Sequence, residues 1–451
     1  MKDEVRANFL KAIKANEPLF PGIVGYDSTV LPEISLALLA GHDILFLGEK
    51  GQAKSRLMRS LVRFLDEEIP YLEYPGLQVH ENPYQPITSP GKRLVAETPA
   101  SEVPIGWWRR EDRYAERLAP GTKFADVLGE IDPSKLVAGV SLSAEEAISF
   151  GLIPRMHRGI FAMNEIPELD ELVQVGLFNI LEERDVQIRG FKVRLPLDVM
   201  LFASANPEDY TNRGRIITPL KDRFGAQIRT HYPLDAATEL TIVEQEVELP
   251  DDIAVSVPEF MGEIIATFSQ LARASSHVNQ RSGVSVRLSV ANYETLVANA
   301  MRRSLRTNER LVVPRVSDLD ALASSTTGKI EFETLGDGRE SEILEHLVRA
   351  AVLTVFKDSV PPITHRAVIE AFDNGVSASA GEDISSADYL ALLKSMPALD
   401  APVQALLADE PDAEAPEVVA SAIEFVLEGL HLSKRLNKDA AGGRAQYRSR
   451  G

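Results

Sequence analysis

Asp43-Ile44-Leu45-Phe46-Leu47-Gly48-Glu49-Lys50-Gly51-Gln52-Ala53-Lys54-Ser55 is the stretch whose reading decides the fold. Four consecutive apolar residues, Ile44 to Leu47, read as a buried strand. Gly48 and Gly51 break it, and Lys54-Ser55 opens a helix whose apolar positions Leu57, Leu61 and Leu65 recur every four residues. In such a turn backbone N–H groups converge on phosphates, a lysine reaches the outer phosphates, and a Ser or Thr hydroxyl binds Mg²⁺. The spacing fits G-x-x-x-x-G-K-[ST] at Gly48, Lys54 and Ser55, with Ala53 where the last glycine belongs. The expected phosphate contacts are Gly48, Glu49, Lys50, Gly51, Gln52, Ala53, Lys54 and Ser55. Alanine is expected to adopt a helical first-turn conformation there, leaving the cradle intact.

Upstream, residues 1 to 19 read as a charged helix leading into Leu19 to Tyr26, a turn of aromatic, Pro, Gly and β-branched residues. Its Ile23 and Val24 are candidates to lie over a flat apolar ligand such as adenine; a packed entry loop explains the same residues equally well. Downstream, Pro70 to Gly129 is rich in Pro and Gly, shows little period, and holds both tryptophans, Trp107 and Trp108. Such a segment is a surface insertion or a lid. Adjacent tryptophans beside Arg109 and Arg110 suit a single-strand stacking platform, but more often such a pair anchors a loop or a subunit contact.

Regular structure returns at Gly159 to Glu165, an apolar strand ending in the polar pair Asn164-Glu165, placed as at the carboxyl edge of a parallel sheet. A helix over Leu169 to Glu183, a β-hairpin over Val186 to Leu195 turning near Gly190, and a strand from Val199 to Ala203 ending at Ser204-Ala205-Asn206-Pro207 complete an α/β core. Beyond Pro233 the pattern is helical: Ala236 to Val247, Pro258 to Ala274, Val286 to Ser304, Ser317 to Ser324 and Ser341 to Phe356. Two further helical stretches are split by an acidic Pro/Ala linker, Asp409 to Pro416, and the basic end from Lys434 to Gly451 reads as a frayed, solvated tail. The expected organisation is an N-terminal helix over 1–19, an ATP-binding core over 20–233, a helical lid over 234–380 and a C-terminal extension over 381–451.

Bulk properties narrow the chemistry. The chain has 451 residues, 44% of them hydrophobic, enough for two or three domains with sizeable cores. A formal net charge of −19 argues against non-specific binding to nucleic acid or anionic membrane. The absence of cysteine excludes disulfides, thiolate nucleophiles and Cys-based metal sites. With no signal-like apolar run at Met1-Lys2-Asp3-Glu4 and no stretch long enough to span a bilayer, the expectation is a cytoplasmic protein without membrane insertion.

Phosphoryl hydrolysis requires a carboxylate to order Mg²⁺ and its waters, a group to orient or activate water, and cations to offset charge. Asn164 and Ser55 are the metal-side candidates, Glu165 is placed to polarise the attacking water, Asn206 to hold that water or the outer phosphate, and Arg223 and Arg287 to act as cations. This ordering resembles AAA+ ATPases, in the branch of MoxR-type proteins and the magnesium chelatase I subunit. Gly48 to Ser55 matches Walker A with one substitution, and Arg158 to Glu165 looks like the "RGI…DE" Walker B segment. The Val186 to Leu195 hairpin looks like the pre-sensor-1 insertion, Ser204 to Glu208 like sensor 1, and Leu220 to Gly225 like the "LxDRFG" segment with its arginine finger. Arg287 falls where sensor 2 is expected, with Arg281 as second choice.

The resemblance implies an α/β P-loop NTPase core of the αβα type with a β-hairpin insertion, an all-helical lid and a helical extension. It implies ATP and Mg²⁺ as cofactors and a homo-oligomeric ring, hexameric in this branch, whose sites Arg223 completes from the neighbouring subunit. It further implies remodelling or maturation of a partner complex, with metal insertion one version of the task, and a partner carrying a von Willebrand factor A domain. Arg189, Lys192 and Arg194 of the hairpin are candidates for gripping that partner. Asn164, standing where Walker B has aspartate, removes one negative charge from the Mg²⁺ surroundings and is expected to hold the ion less firmly. The alternatives are a non-hydrolysing ATP-binding scaffold, favoured by Asn164, and a nucleic-acid motor, disfavoured by the acidic balance.

Overall fold

Ile44–Leu47 forms the expected strand, β1, and all four of its residues are buried. Four more strands align parallel with it in a sheet: β2 (Tyr114–Glu116), β3 (Ile160–Met163), β4 (Met200–Ala205) and β5 (Ala226–Arg229), in the order β5-β1-β4-β3-β2. Alternate residues point to opposite faces. Ile44, Phe46, Ile160, Ala162, Met200 and Phe202 enter one apolar cluster, whereas Leu45, Leu47, Phe161, Met163, Leu201 and Ala203 enter another. Helices Lys2–Lys14, Val30–Ala40 and Lys54–Ser60 bury Val5, Phe9, Ile34, Leu38, Leu57 and Met58 on the first face. Helix Glu171–Glu183 buries Val173, Leu177 and Ile180 on the second. A parallel sheet covered on both sides explains why its strands read as continuous apolar runs rather than alternating ones.

This computed structural model describes residues 1–116, 122–141, 144–187, 194–206, 216–279, 283–333, 339–441 and 443–450. They divide into two units, Met1–His231 and Tyr232–Gly451.

In the first unit, the segment without clear period contains an antiparallel pair, Glu68–Leu72 with Ile105–Arg109, and then the edge strand β2. Three residues are too few for a sequence period to show, so β2 was not anticipated. Trp108 is buried and stacked on the His80 ring at 3.9 Å, which is the loop-anchoring role, while Trp107 is 61% exposed. Arg113, fully buried just ahead of β2, donates to Glu4 Oε1 (2.6 Å) and Oε2 (2.7 Å) and to the Arg158 carbonyl, locking the N-terminal helix to the sheet. The expected hairpin is present at its base, where Asp185–Gln187 pairs with Arg194–Pro196. Arg189 and Lys192 lie outside the described residues, and only the backbone of Arg194 is described.

The second unit is built mainly of helices, including Ala236–Glu246, Glu259–Ala274, Val286–Thr307, Arg339–Ser359 and Pro416–Leu432. The last is buried from Val418 to Leu430, and its apolar residues share one cluster with those of its neighbours. Two details differ from expectation. The acidic linker is pinned: Asp412 accepts from Ser256 Oγ (2.6 Å) and Glu410 from the Glu259 N–H (2.6 Å). The tail is not frayed but folds as strands β7 (Leu436–Ala441) and β8 (Arg444–Ser449), which join β6 (Ala378–Gly381) in a sheet. Tyr447 is the anchor: it is 1% exposed and its hydroxyl bonds Glu428, while Arg444 and Arg448 occupy exposed positions on the same strand. No helix among the described residues is long and apolar enough to cross a membrane.

Candidate active site

The parallel register brings the carboxyl ends of β1, β3 and β4 to one edge, since Leu47 aligns with Ala205 and Met163 with Ala203. The loop after β1 starts there, with Gly48 N–H donating to the Ala205 carbonyl at 3.1 Å. Glycine is required at position 48 because a Cβ would run into Thr230 Oγ1 and Gln52 Oε1. Gln52, 7% exposed, folds the loop: its Oε1 accepts from Glu49 N–H (3.0 Å) and Thr230 Oγ1 (2.7 Å). The Tyr26 hydroxyl reaches the carbonyls of Gln52 (3.0 Å) and His231 (2.8 Å). Burial pushes the Tyr26 phenol up to about 12, so it stays a neutral donor.

Gly51 has φ +77° and Ala53 has φ +54°, ψ +17°. The expectation for Ala53 is therefore corrected. The chain must turn left-handed immediately before Lys54 to aim the loop into the helix, and a helical first-turn conformation does not achieve that turn. The alanine methyl is tolerated because the residue is exposed, at the backbone cost discussed below.

Lys54 is nearly buried, and its Nζ donates to the carbonyls of Gly48 and Glu49 (2.7 Å) and to Asn206 Oδ1 (2.9 Å). Ser55 Oγ donates to Asn164 Oδ1 at 3.1 Å. The adjacent residues Lys54 and Ser55 are thus tied to the ends of two strands, Lys54 to Asn206 and Ser55 to Asn164. Glu165 follows Asn164 in a left-handed conformation (φ +54°), with its N–H on Ser204 Oγ at 3.2 Å. That turn separates the two strand-end side chains. A parallel five-stranded sheet in the order β5-β1-β4-β3-β2, with a phosphate loop leaving β1 and polar residues ending β3 and β4, is a specific topology. The core has the α/β fold with a phosphate loop that the sequence leads one to expect, five parallel strands covered by helices on both faces.

No family model matches the chain. Among solved structures it is similar to NtrX from Brucella abortus in complex with ADP: 14% identity, TM-score 0.35, covering 79% of this chain and 65% of that one. The chain thus spans less than two thirds of that protein's length. It is also similar to the complex between the BchI and BchD subunits of magnesium chelatase (19% identity, TM-score 0.37, 74% of this chain and 94% of that one). A third likeness is to a putative ATPase from Cytophaga hutchinsonii (15% identity, TM-score 0.32, 77% and 95%). All three TM-scores lie below 0.5, so the strand order and the loop geometry carry the fold assignment.

At this edge of the sheet the donor set suits a nucleotide phosphate and Mg²⁺. One buried ammonium stands beside a hydroxyl held on an amide oxygen, and that oxygen is able to accept from metal-bound water. Among the described residues no group of three or more His, Asp or Glu is placed to hold a metal ion.

The remaining expected residues lie apart from this cluster. Ile23 is packed into the core with 9% exposure, and Val24 beside it is half-buried. Lys50 is exposed at the tip of the loop. Arg223, at the end of helix Thr218–Arg223, is held by Glu182 Oε2 (2.8 Å), the Pro219 carbonyl (2.8 Å) and the Phe178 ring, 3.5 Å from the guanidinium carbon. Arg287 is exposed in the first turn of helix Val286–Thr307 in the second unit, behind the Ser285 cap. Arg281, Pro207 and Glu208 lie outside the described residues.

Sequence reading missed Thr230 and, above all, Glu116, whose Oε1 accepts from Asn164 Nδ2 at 2.8 Å. Neither belongs to a recognisable spacing, and the stretch around Glu116 is aperiodic.

Proposed function

We propose that this chain is a Mg²⁺-dependent ATPase that works as a ring and spends the hydrolysis on remodelling or maturing a partner protein complex, in the manner of MoxR-type and chelatase ATPases. The observation that supports it best is the pairing of Lys54 with Asn206 and of Ser55 with Asn164 at the carboxyl edge of the parallel sheet. Bound ATP supplies the phosphoryl group and Mg²⁺ offsets part of its charge. Lys54 neutralises the outer phosphates, exchanging backbone carbonyls for phosphate oxygens. Ser55 and Asn164 face the metal side, and Asn206 fixes the position of Lys54 through their shared hydrogen bond. Glu165, whose carboxylate makes no hydrogen bond or ion pair among the described residues, is the group to take a proton from water. Arg223 in this reading leaves Glu182 to serve a neighbouring subunit, and Arg287 is the second cation that the family resemblance implies. Matching these roles to a hexamer and to a partner with a von Willebrand factor A domain rests on the family resemblance.

The test is steady-state ATP hydrolysis by the purified chain. Lys54→Ala and Glu165→Gln each abolish turnover, Glu165→Gln while retaining ATP, and Arg223→Ala abolishes it with nucleotide still bound. Turnover undiminished in Lys54→Ala would sink the proposal. A second reading, a scaffold that binds ATP without hydrolysing it, is favoured by the uncharged Asn164; tight binding with no turnover, partner present or absent, selects it.

A further inference from the structure

An ATPase of this kind has a deficit at Asn164, which offers the metal an oxygen but no charge. The missing charge is one hydrogen bond away, on a residue 48 positions earlier in the chain. Glu116 ends β2 in register with Ala162 of β3, so its side chain emerges beside the end of the neighbouring strand. A carboxylate only accepts, so Glu116 turns the Asn164 amide one way round: Nδ2 towards itself (2.8 Å), Oδ1 towards Ser55 Oγ (3.1 Å). Ser204 Oγ, 3.4 Å from the same Oδ1, supports that orientation.

Glu116 is itself positioned. Its side chain is 9% exposed; Arg59 donates to Oε2 (Nε, 2.5 Å) and Oε1 (Nη2, 3.1 Å), and Tyr114 to Oε2 (3.2 Å). Burial opposes its ionisation, but the hydrogen bonds from Arg59 and Asn164 outweigh burial and hold its carboxyl below the ordinary value.

The geometry points to Glu116 as a positioning residue for the nucleotide-bound divalent ion: Asn164 presents the oxygen, and Glu116 supplies the charge and locks the amide. Two residues on adjacent strands then replace one aspartate. Arg59, on the helix that Lys54-Ser55 opens and one turn beyond Ser55, pairs with the same carboxylate and draws part of its field away from the metal. The two partners of this ion pair therefore have opposite effects on the ion. A purely structural pair would not behave so, because loss of either side would loosen the site. This inference rests on the ATP-binding reading above.

The experiment uses the full chain with ADP and Mn²⁺, reading free Mn²⁺ by electron paramagnetic resonance. Glu116→Gln is expected to weaken Mn²⁺ binding to the ADP complex about tenfold, at the lower end of what outer-shell partners of a metal ligand contribute. ADP affinity without metal stays unchanged. Arg59→Gln is expected to strengthen Mn²⁺ binding, and the exchange Glu116→Gln/Asn164→Asp to restore it. Unchanged Mn²⁺ affinity in Glu116→Gln, or equal weakening in Arg59→Gln, overturns the inference. Should Glu116→Gln lose ADP binding altogether, Arg59→Gln decides alone: a rise supports the inference and a fall overturns it. A wild-type chain that binds no ADP overturns the ATPase reading as well, so the two failures are distinguishable.

Discussion

Ala53 is the residue at which the phosphate loop departs from its pattern, and its backbone makes a quantitative prediction. At φ +54°, ψ +17° it occupies the left-handed region, which costs a residue with a Cβ about 1–2 kcal/mol. Replacing it with glycine removes that cost and adds about 0.5–1 kcal/mol of unfolded-state freedom. The side chain is exposed, so no packing is lost. The net expectation for Ala53→Gly is a gain of about 0.5–1 kcal/mol. For a unit the size of Met1–His231, about 2–4 °C per kcal/mol applies, which gives a rise of about 1–4 °C in Tm. Ala53→Val moves the other way, because a β-branched residue is a genuine outlier at positive φ. Differential scanning calorimetry of the full chain, with and without ADP, checks both. A fall in Tm for Ala53→Gly together with an unchanged Ala53→Val would refute the reasoning. Residue 53 would then be right-handed, as the sequence alone suggested.

The pair of buried Arg113 and half-buried Glu4 holds the first helix to the sheet, so Arg113→Ala is expected to cost about 3 kcal/mol, the low end for a broken buried pair, because Glu4 keeps the Asp66 N–H (2.8 Å) as a partner. Chemical denaturation midpoints check this, and adding Glu4→Gln is expected to recover part of the loss. His157, 4% exposed, accepts from the Asp198 N–H through Nδ1, and burial pushes its pKa from the ordinary 6.5 down to about 4, with Asp198 pulling the other way and Arg158, the chain terminus and His80 adding smaller repulsions. The unfolded chain binds the proton first, so this contribution to stability is complete above pH 6.5 and is lost as pH falls towards 4, to a total of about 3 kcal/mol. Thermal melts between pH 7 and 4 are expected to show a shallower decline in His157→Gln than in wild type; parallel declines would contradict it.

Legibility followed the range of the interaction. β1, its glycine turn, the polar ends of β3 and β4 and the helices of the second unit all announce themselves within a dozen residues, because burial of one face or of both imposes a local period. The three-residue β2 has no room for a period, and the tail hairpin was obscured by its outward-facing bases, which read as solvation. Its inward-facing Tyr447 and its pairing with Ala378–Gly381 became visible only in three dimensions.

By itself, the sequence determined that a strand, a phosphate loop and a helix occur in that order, that Asn164-Glu165 and Asn206 end later strands, and that a helical half follows. Each of these is a property of neighbours along the chain. The tertiary structure decided which of the distant polar groups meet. It folded Lys54 onto Asn206, turned Ala53 left-handed, tied Arg223 to Glu182 and set Glu116 against Asn164. Those outcomes depend on the register between parallel strands, which is set by packing across the whole sheet and leaves no trace in the residues of any one strand.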